Sequence, residues 1–453
     1  MTVKTTGGLA GGFFWLLIMS TAALPPYVAA ADPALPLPQG TGATPPGPAS
    51  GPQLTLEDVV RIALDNQSNV KSAEFQIRAQ DAIVHQQLSA YYPTINFNNS
   101  FRTANVGGIG SKASNSFDTL SSAANLNLIL YNFGKREGLV QSARETLEAT
   151  RYAYSATANN TVLAAKQAYY GVLQATALLA VQEETVKDRA ETLRQTQGFY
   201  DVGTKPRSDV TQAEANLYLA QANLITARNG VDVAWASLRK AMGVDELPRQ
   251  PLAEELALTP FAMSLDEAKN AAFSSRPELL QFDSLLKAQD QLIAVARRNH
   301  LPDLLLSSSY GRQNTSQDAA LLPLQPSWQV QLSLNIPVFN GFQTTYQVQQ
   351  ALFNYESTRE QRRVEKQQVA FDVEQNYLNL IAARDAVRAN EAAVKAAKEN
   401  LELHEARYQV GYAPIVEVTD AQTTYTAAQT SYVNALIAYK LAYAQLINAI
   451  GAR

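Results

Sequence analysis

Cysteine is absent from the 453-residue chain, and histidine occurs only as His85, His300 and His404. The first absence excludes disulfides, thiolate metal sites and a lipid-modified cysteine at a mature N-terminus. The three histidines occupy unrelated positions, and His404, on a helical seam, reads as a packing residue. Enzyme signatures are also missing. There is no G-x-S-x-G and no G-x-x-x-x-G-K-S/T, and His404-Glu405 lacks the second histidine of a zinc-protease motif. Positive charge is not in excess: a net charge of −4 argues against a general nucleic-acid surface. No enzyme, metal, cofactor or nucleic-acid function is expected.

Long apolar runs are lacking too. One stretch, Phe13 to Met19, follows Lys4 and precedes Ala29-Ala30-Ala31, but Pro25 and Pro26 cut it short. A membrane-spanning helix needs about 20 apolar residues. Residues 1–31 therefore read as a secretory signal peptide, and membrane insertion must use something other than helices. Seven prolines and four glycines between residues 33 and 52 make 32–53 an extended linker.

What the chain does have is itself, twice. Leu56 recurs as Leu265 and Pro93 as Pro302, 209 residues on. Tyr200-Asp201-Val202-Gly203 recurs as Tyr408-Gln409-Val410-Gly411, and Ala241-Met242-Gly243 as Ala449-Ile450-Gly451, 208 residues on. A near-constant offset of this size means duplication of a whole structural unit rather than a short solenoid repeat. The units span 54–250 and 251–453.

Each unit reads helix, strand, strand, long helix, helix. Val172, Leu179, Val186, Leu193 and Tyr200 recur every seven residues, as do Leu380, Val387, Val394, Leu401 and Tyr408. This period means coiled-coil packing. Ala382, Ala386, Ala389, Ala393 and Ala396 line a second face. Residues 137–198 and 343–408 contain no proline, and at 1.5 Å per residue they reach about 93 and 99 Å. Shorter helices near 56–91, 209–241, 265–300 and 417–449 lie alongside them.

Between these helices the period falls to two. From Trp328 to Ile336, Trp, Val, Leu, Leu and Ile alternate with Gln, Gln, Ser and Asn. Strands are expected near 94–102, 121–131, 304–312 and 328–336, joined by polar loops near 103–120 and 313–326. Strands of about nine to eleven residues, apolar on one face, match a transmembrane barrel. Four strands cannot close one, and open edges are not tolerated in lipid, so two or more chains must combine. The fold class is mainly α with transmembrane β. The rival, a soluble periplasmic coiled-coil scaffold or adaptor, shares the signal and helices but lacks the amphipathic strands.

The chain resembles the TolC-type outer-membrane efflux proteins from Leu54 to the C-terminus. The resemblance rests on the duplication, Leu-Tyr-Asn-Phe-Gly at 130–134, Val-Phe-Asn-Gly at 338–341, the Val-Gly turns at 202–203 and 410–411, and Val416 to Asp420. It implies a homotrimer whose twelve strands form a β-barrel in the outer membrane, continuous with a periplasmic α-barrel. It implies a passive exit duct for efflux or type I secretion. A periplasmic adaptor would dock it at Val202, Gly203, Val410 and Gly411 to an inner-membrane RND, ABC or MFS transporter.

The resemblance also places an acidic ring at the periplasmic constriction, from Glu417 and Asp420, six carboxylates in a trimer. Asp209, Lys205, Gln212 and Tyr408 are gate-associated by the same likeness. Asp209 aligns with Glu417, but Gln212 replaces Asp420 in the first unit, so the copies have diverged here. Ala413 stands where the best-known relatives have an arginine, which removes one charged latch and leaves Lys205 or Arg207 as substitutes.

Overall fold

The computed structural model describes residues 53–107, 114–253, 258, 260–316 and 323–452. The expected leader, and the linker as far as residue 52, lie outside them. Elements run α1 (Leu56–Asn66), α2 (Ser68–Leu88), β1 (Thr94–Gly107), β2 (Ser114–Tyr131), α3 (Lys135–Asp201) and α4 (Arg207–Met242). They continue with α5 (Leu265–Ser275), α6 (Pro277–Arg298), β3 (Asp303–Ser316), β4 (Gln325–Asn335), α7 (Gln343–Gln409) and α8 (Ile415–Ile450).

α3 and α7 are 67 residues each, uninterrupted by proline, and reach about 100 Å. α3 packs against α2 and α6 toward the strands, and against α4 and α8 toward its far end; α7 likewise meets α6 and then α8. The seven-residue seam is buried on α7 at Leu380, Val387, Leu401 and Tyr408. Its alanine face, by contrast, is largely uncovered on the single chain. Among the described residues, no helix is long and apolar enough to cross a membrane.

The expected helices at 56–91 and 265–300 are each broken into two. Gln67 and Arg276 leave the helical region, at ψ 123° and 119°. At Arg276 the following Pro277 disfavours the α conformation. At both breaks a side chain caps a neighbour: Gln67 Nε2 donates to Lys240 O (2.7 Å) and Ala241 O (3.1 Å), closing α4. Arg276 Nη1 reaches Asn448 O and Ala449 O at the end of α8 (3.5 and 3.4 Å). Carbonyls left over at helix C-termini need such donors. Arg276 is buried and also lies 3.1 Å from Glu278 and 3.5 Å from Asp372.

Apolar cores sit at these junctions. One gathers Val59, Ala63, Tyr169, Val172, Trp235, Leu238 and Met242; the other gathers Ala272, Leu279, Val369, Val373, Leu380 and Leu446. Tyr169 Oη donates to Ala253 O at 2.6 Å, anchoring the chain that links the two units.

The strands form one antiparallel sheet in the order β1-β2-β3-β4. Register puts Phe97, Ala124, Tyr310 and Trp328 in one row, and Ile95, Leu126, Ser308 and Val330 in the next. The opposite face carries Asn96, Asn125, Ser309 and Gln329. On the apolar face Trp328 is 74% exposed and Leu332 63%. β1 to β3 extend further into the expected loops than alternation indicates. Above the apolar rows the alternation breaks down, polar residues surrounding a Phe101–Leu120 pair, and cross-strand pairs such as Thr103–Asp118 and Ser122–Asn99 (2.8 Å each) sustain the ladder.

The motifs at 130–134 and 338–341 are the elbows between strand and long helix. Phe133 and Phe342 take positive φ (54° and 64°) beside Gly134 and Gly341. Lys135 Nζ ties α3 to the foot of β3, 2.9 Å from Asp303 Oδ1 and from Leu301 O.

Candidate functional site

The residues singled out by sequence lie at the ends of the long helices remote from the sheet, and both tips turn alike. Gly203 (φ 77°) and Gly411 (φ 85°) enter the left-handed region, which glycine adopts without the clash of a Cβ. Thr204 N then donates to Phe199 O at 2.9 Å, and Tyr412 N to Arg407 O at 2.8 Å. Pro206 and Pro414 follow and start α4 and α8. Val202 and Val410 are left projecting, 71% and 66% exposed.

Behind the turns the copies part. Tyr408 is 3% exposed, its counterpart Tyr200 39%. Tyr408 packs with Ala413, Ile415, Val418 and Phe199, and its hydroxyl donates to Thr196 Oγ1 at 3.5 Å. Burial raises its pKa; the Thr196 bond opposes the rise and the charge of Asp209 adds to it. Lys205 Nζ stands 4.6 Å from the ring centroid, so a π face rather than a carboxylate holds this cation. Ala413 is buried in the same cluster and offers no charge.

The two acids of the expected ring are not equivalent. Glu417 Oε2 lies 3.1 Å from His404 Nδ1 and 3.5 Å from Arg407 Nη1. His404 is therefore a polar partner rather than a packing residue, and Arg407 offsets the Glu417 charge. Asp420, one turn further along α8, is exposed and has no ion-pair partner among the described residues. Gln212 is also exposed and donates to Asn216 Oδ1 (3.4 Å) on its own helix.

Sequence reasoning passed over a buried polar network just above the tip. Arg189 of α3 is 8% exposed. It donates to Gln422 Oε1 (2.6 Å) and Thr423 Oγ1 (2.9 Å) of α8. Gln422 Nε2 donates in turn to Thr192 Oγ1 at 2.8 Å and lies 3.5 Å from Glu405 Oε1. Asp188, Thr192, Glu405, Tyr408 and Val418 line a cavity of about 150 Å³ between α3 and the α7–α8 hairpin. Burial pushes the carboxyl pKa values of Asp188 and Glu405 up, with Glu184 adding to the first and Asp188 and Glu402 to the second. The one sequence signal was a charged run, Glu183 to Arg189, interrupting the seam. No group of three His, Asp or Glu residues could hold a metal ion among the described residues.

Comparison with known proteins accords with this architecture. The model of the outer membrane efflux protein family matches residues 59–244 and 269–452. Outer membrane protein TolC of Vibrio cholerae is 27% identical over 404 residues, covering 87% of this chain and 90% of that one. Outer membrane efflux protein BepC of Brucella suis is 26% identical over 399 residues, covering 88% and 85%. The crystal structure of the Campylobacter jejuni CmeC outer membrane channel superposes with a TM-score of 0.74 at 18% identity, covering 87% of this chain and 85% of that one. Two family-model matches, one to each half of the duplication, span most of the chain, and the chain belongs to the outer membrane efflux protein family.

Proposed function

We propose that three copies of this chain close their four-stranded sheets into one barrel, and that Asp420 supplies most of the charge at the inner mouth of the resulting duct. The protein is an outer-membrane exit duct of efflux systems and extends into the periplasm, as its family membership establishes. Closure by several copies is supported by the sheet: one face is apolar, and β1 and β4 each present an unpaired edge. Such edges are not tolerated in lipid, and a neighbour's strands satisfy them. An adaptor would grip the projecting Val202 and Val410 turns and connect the duct to an RND, ABC or MFS transporter, which supplies the energy.

The observation that carries the mouth assignment is the unequal treatment of the two acids. Arg407 and His404 cover Glu417, whereas Asp420 stands free. Three unopposed carboxylates in a constriction attract cations and repel anions. Reversal potentials in a salt gradient across planar bilayers test this. Asp420→Asn should abolish most of the cation preference, and Glu417→Gln should leave most of it. Equal losses would refute the division of roles, and no loss in either would remove the ring.

A further inference from the structure

We propose that Arg312, on the lipid-facing side of β3, is a docking point for the phosphate of an outer-leaflet lipid. Register places it in one row with Asn99, Ser122 and Pro326, directly above the row of Phe97, Ala124, Tyr310 and Trp328. It therefore shares the face that carries the exposed apolar side chains, while Arg102 lies on the opposite, luminal face. The proposal rests on the barrel reading of the sheet.

Height decides what surrounds the guanidinium. Following β4 from Ile336 up to Pro326 at 3.4 Å per residue, with a strand tilt near 40°, gives a rise of about 26 Å. The apolar band of an outer-membrane barrel is about 25 Å tall. Arg312 thus reaches the level where hydrocarbon ends and headgroups begin. The aromatic row below it, Phe97, Tyr310 and Trp328, is what an interfacial belt contains. A cation in mid-bilayer is costly, but at this height it meets lipid phosphates.

Among the described residues, no carboxylate takes that charge. Arg312 is exposed and has no ion-pair partner among the described residues. The row directly above carries Phe101 and Leu120, which extends the aromatic belt past Arg312, and Asp118, one row higher still, accepts a 2.8 Å hydrogen bond from Thr103. Ser122, beside Arg312, donates to Asn99 Oδ1 at 2.8 Å, so its oxygen and the Asn99 amide complete a polar step around the guanidinium. β3 is an inner strand, paired on both sides by β2 and β4, so closure through β1 and β4 leaves this position uncovered. The planar fork of arginine matches a phosphate bidentately, and a basic position at headgroup level fits an anionic lipid.

The test is lipid retention by the purified protein in native mass spectrometry, with diphosphorylated lipid A as the probe. The wild type should retain it in preference to the dephosphorylated lipid, and 0.5 M salt should remove that preference. Arg312→Gln should weaken retention about tenfold, the size of one charge-assisted hydrogen-bond contact. Arg312→Lys should recover part of the loss, and the luminal Arg102→Gln should match the wild type. Retention unchanged in Arg312→Gln, or equal for both lipids, overturns the proposal, as does displacement of lipid A by inorganic phosphate. If Arg312→Gln does not assemble, the salt series on the wild type decides. Heat-modifiable migration on gels reports barrel closure separately: a wild type without it refutes the barrel reading itself.

Discussion

Replacing Arg189 with methionine should loosen the mouth, and the size of the effect follows from its contacts. Arg189 crosses from α3 to α8 and makes its two shortest hydrogen bonds there, 2.6 Å to Gln422 and 2.9 Å to Thr423. A net contribution of about 1.5 kcal/mol for each bond to a charged donor gives about 3 kcal/mol. Methionine fills part of the vacated space, leaving a loss of about 2–3 kcal/mol between the α7–α8 hairpin and α3. That corresponds to a shift of about 30- to 150-fold toward the loosened state. Single-channel recording of the purified protein should show a higher resting conductance. Cells carrying the variant should admit large antibiotics that the parent excludes. Gln422→Leu should act in the same direction, and the double variant should fall short of the sum, because both substitutions remove one shared contact. Unchanged conductance in a properly assembled Arg189→Met protein would refute the claim that this network holds the hairpin, as would strict additivity.

Three further outcomes follow from the geometry. Because burial raises the pKa values of Asp188 and Glu405, the packed mouth holds their protons more tightly than the unfolded chain does. Its stability therefore falls as pH rises through those raised values; lowering the pH from neutral toward them should reduce conductance, and Glu405→Gln should blunt that response. An identical pH profile in the variant would count against it. At the helix breaks, Gln67→Ala should cost about 1–2 kcal/mol through two lost capping bonds, whereas Arg276→Ala should cost about 3–5 kcal/mol by leaving Glu278 and Asp372 without their cation. Temperatures of thermal dissociation should rank them in that order, and equal shifts would contradict the distinction. A Cβ on Gly311 would lie 2.2 Å from Ser122 O, so Gly311→Ala should impair insertion into the outer membrane. Gly171→Ala, with no neighbour within 4 Å, should insert normally.

Periodicity made the two long helices and the apolar face of the sheet legible, since both are set by repeating burial. It failed where burial stops repeating. Gln67 breaks a helix with neither proline nor glycine nearby, because the cap it offers α4 comes from 173 residues away. The upper parts of the strands mix polar residues with single apolar pairs such as Phe101–Leu120, so no alternation ran long enough to extend them. The acidic pair Glu417 and Asp420 was visible as a pair, but its inequality was not. His404 and Glu417 are 13 residues apart and meet only because α7 and α8 fold back at Gly411. The Arg189 network was hidden for the same reason, its partners lying more than 230 residues downstream.

The unpaired edges of β1 and β4 have a consequence for biogenesis. A lone chain can complete its helices and cores, but its sheet presents two free templates that any passing strand can extend. In the proposed assembly, closure needs copies of the same chain to meet, so its rate would climb steeply with their local concentration, while off-pathway pairing competes throughout. Slow synthesis should therefore lower the yield of functional ducts more than proportionally. Holding nascent chains together near their site of insertion becomes as important to the cell as the stability of any single fold.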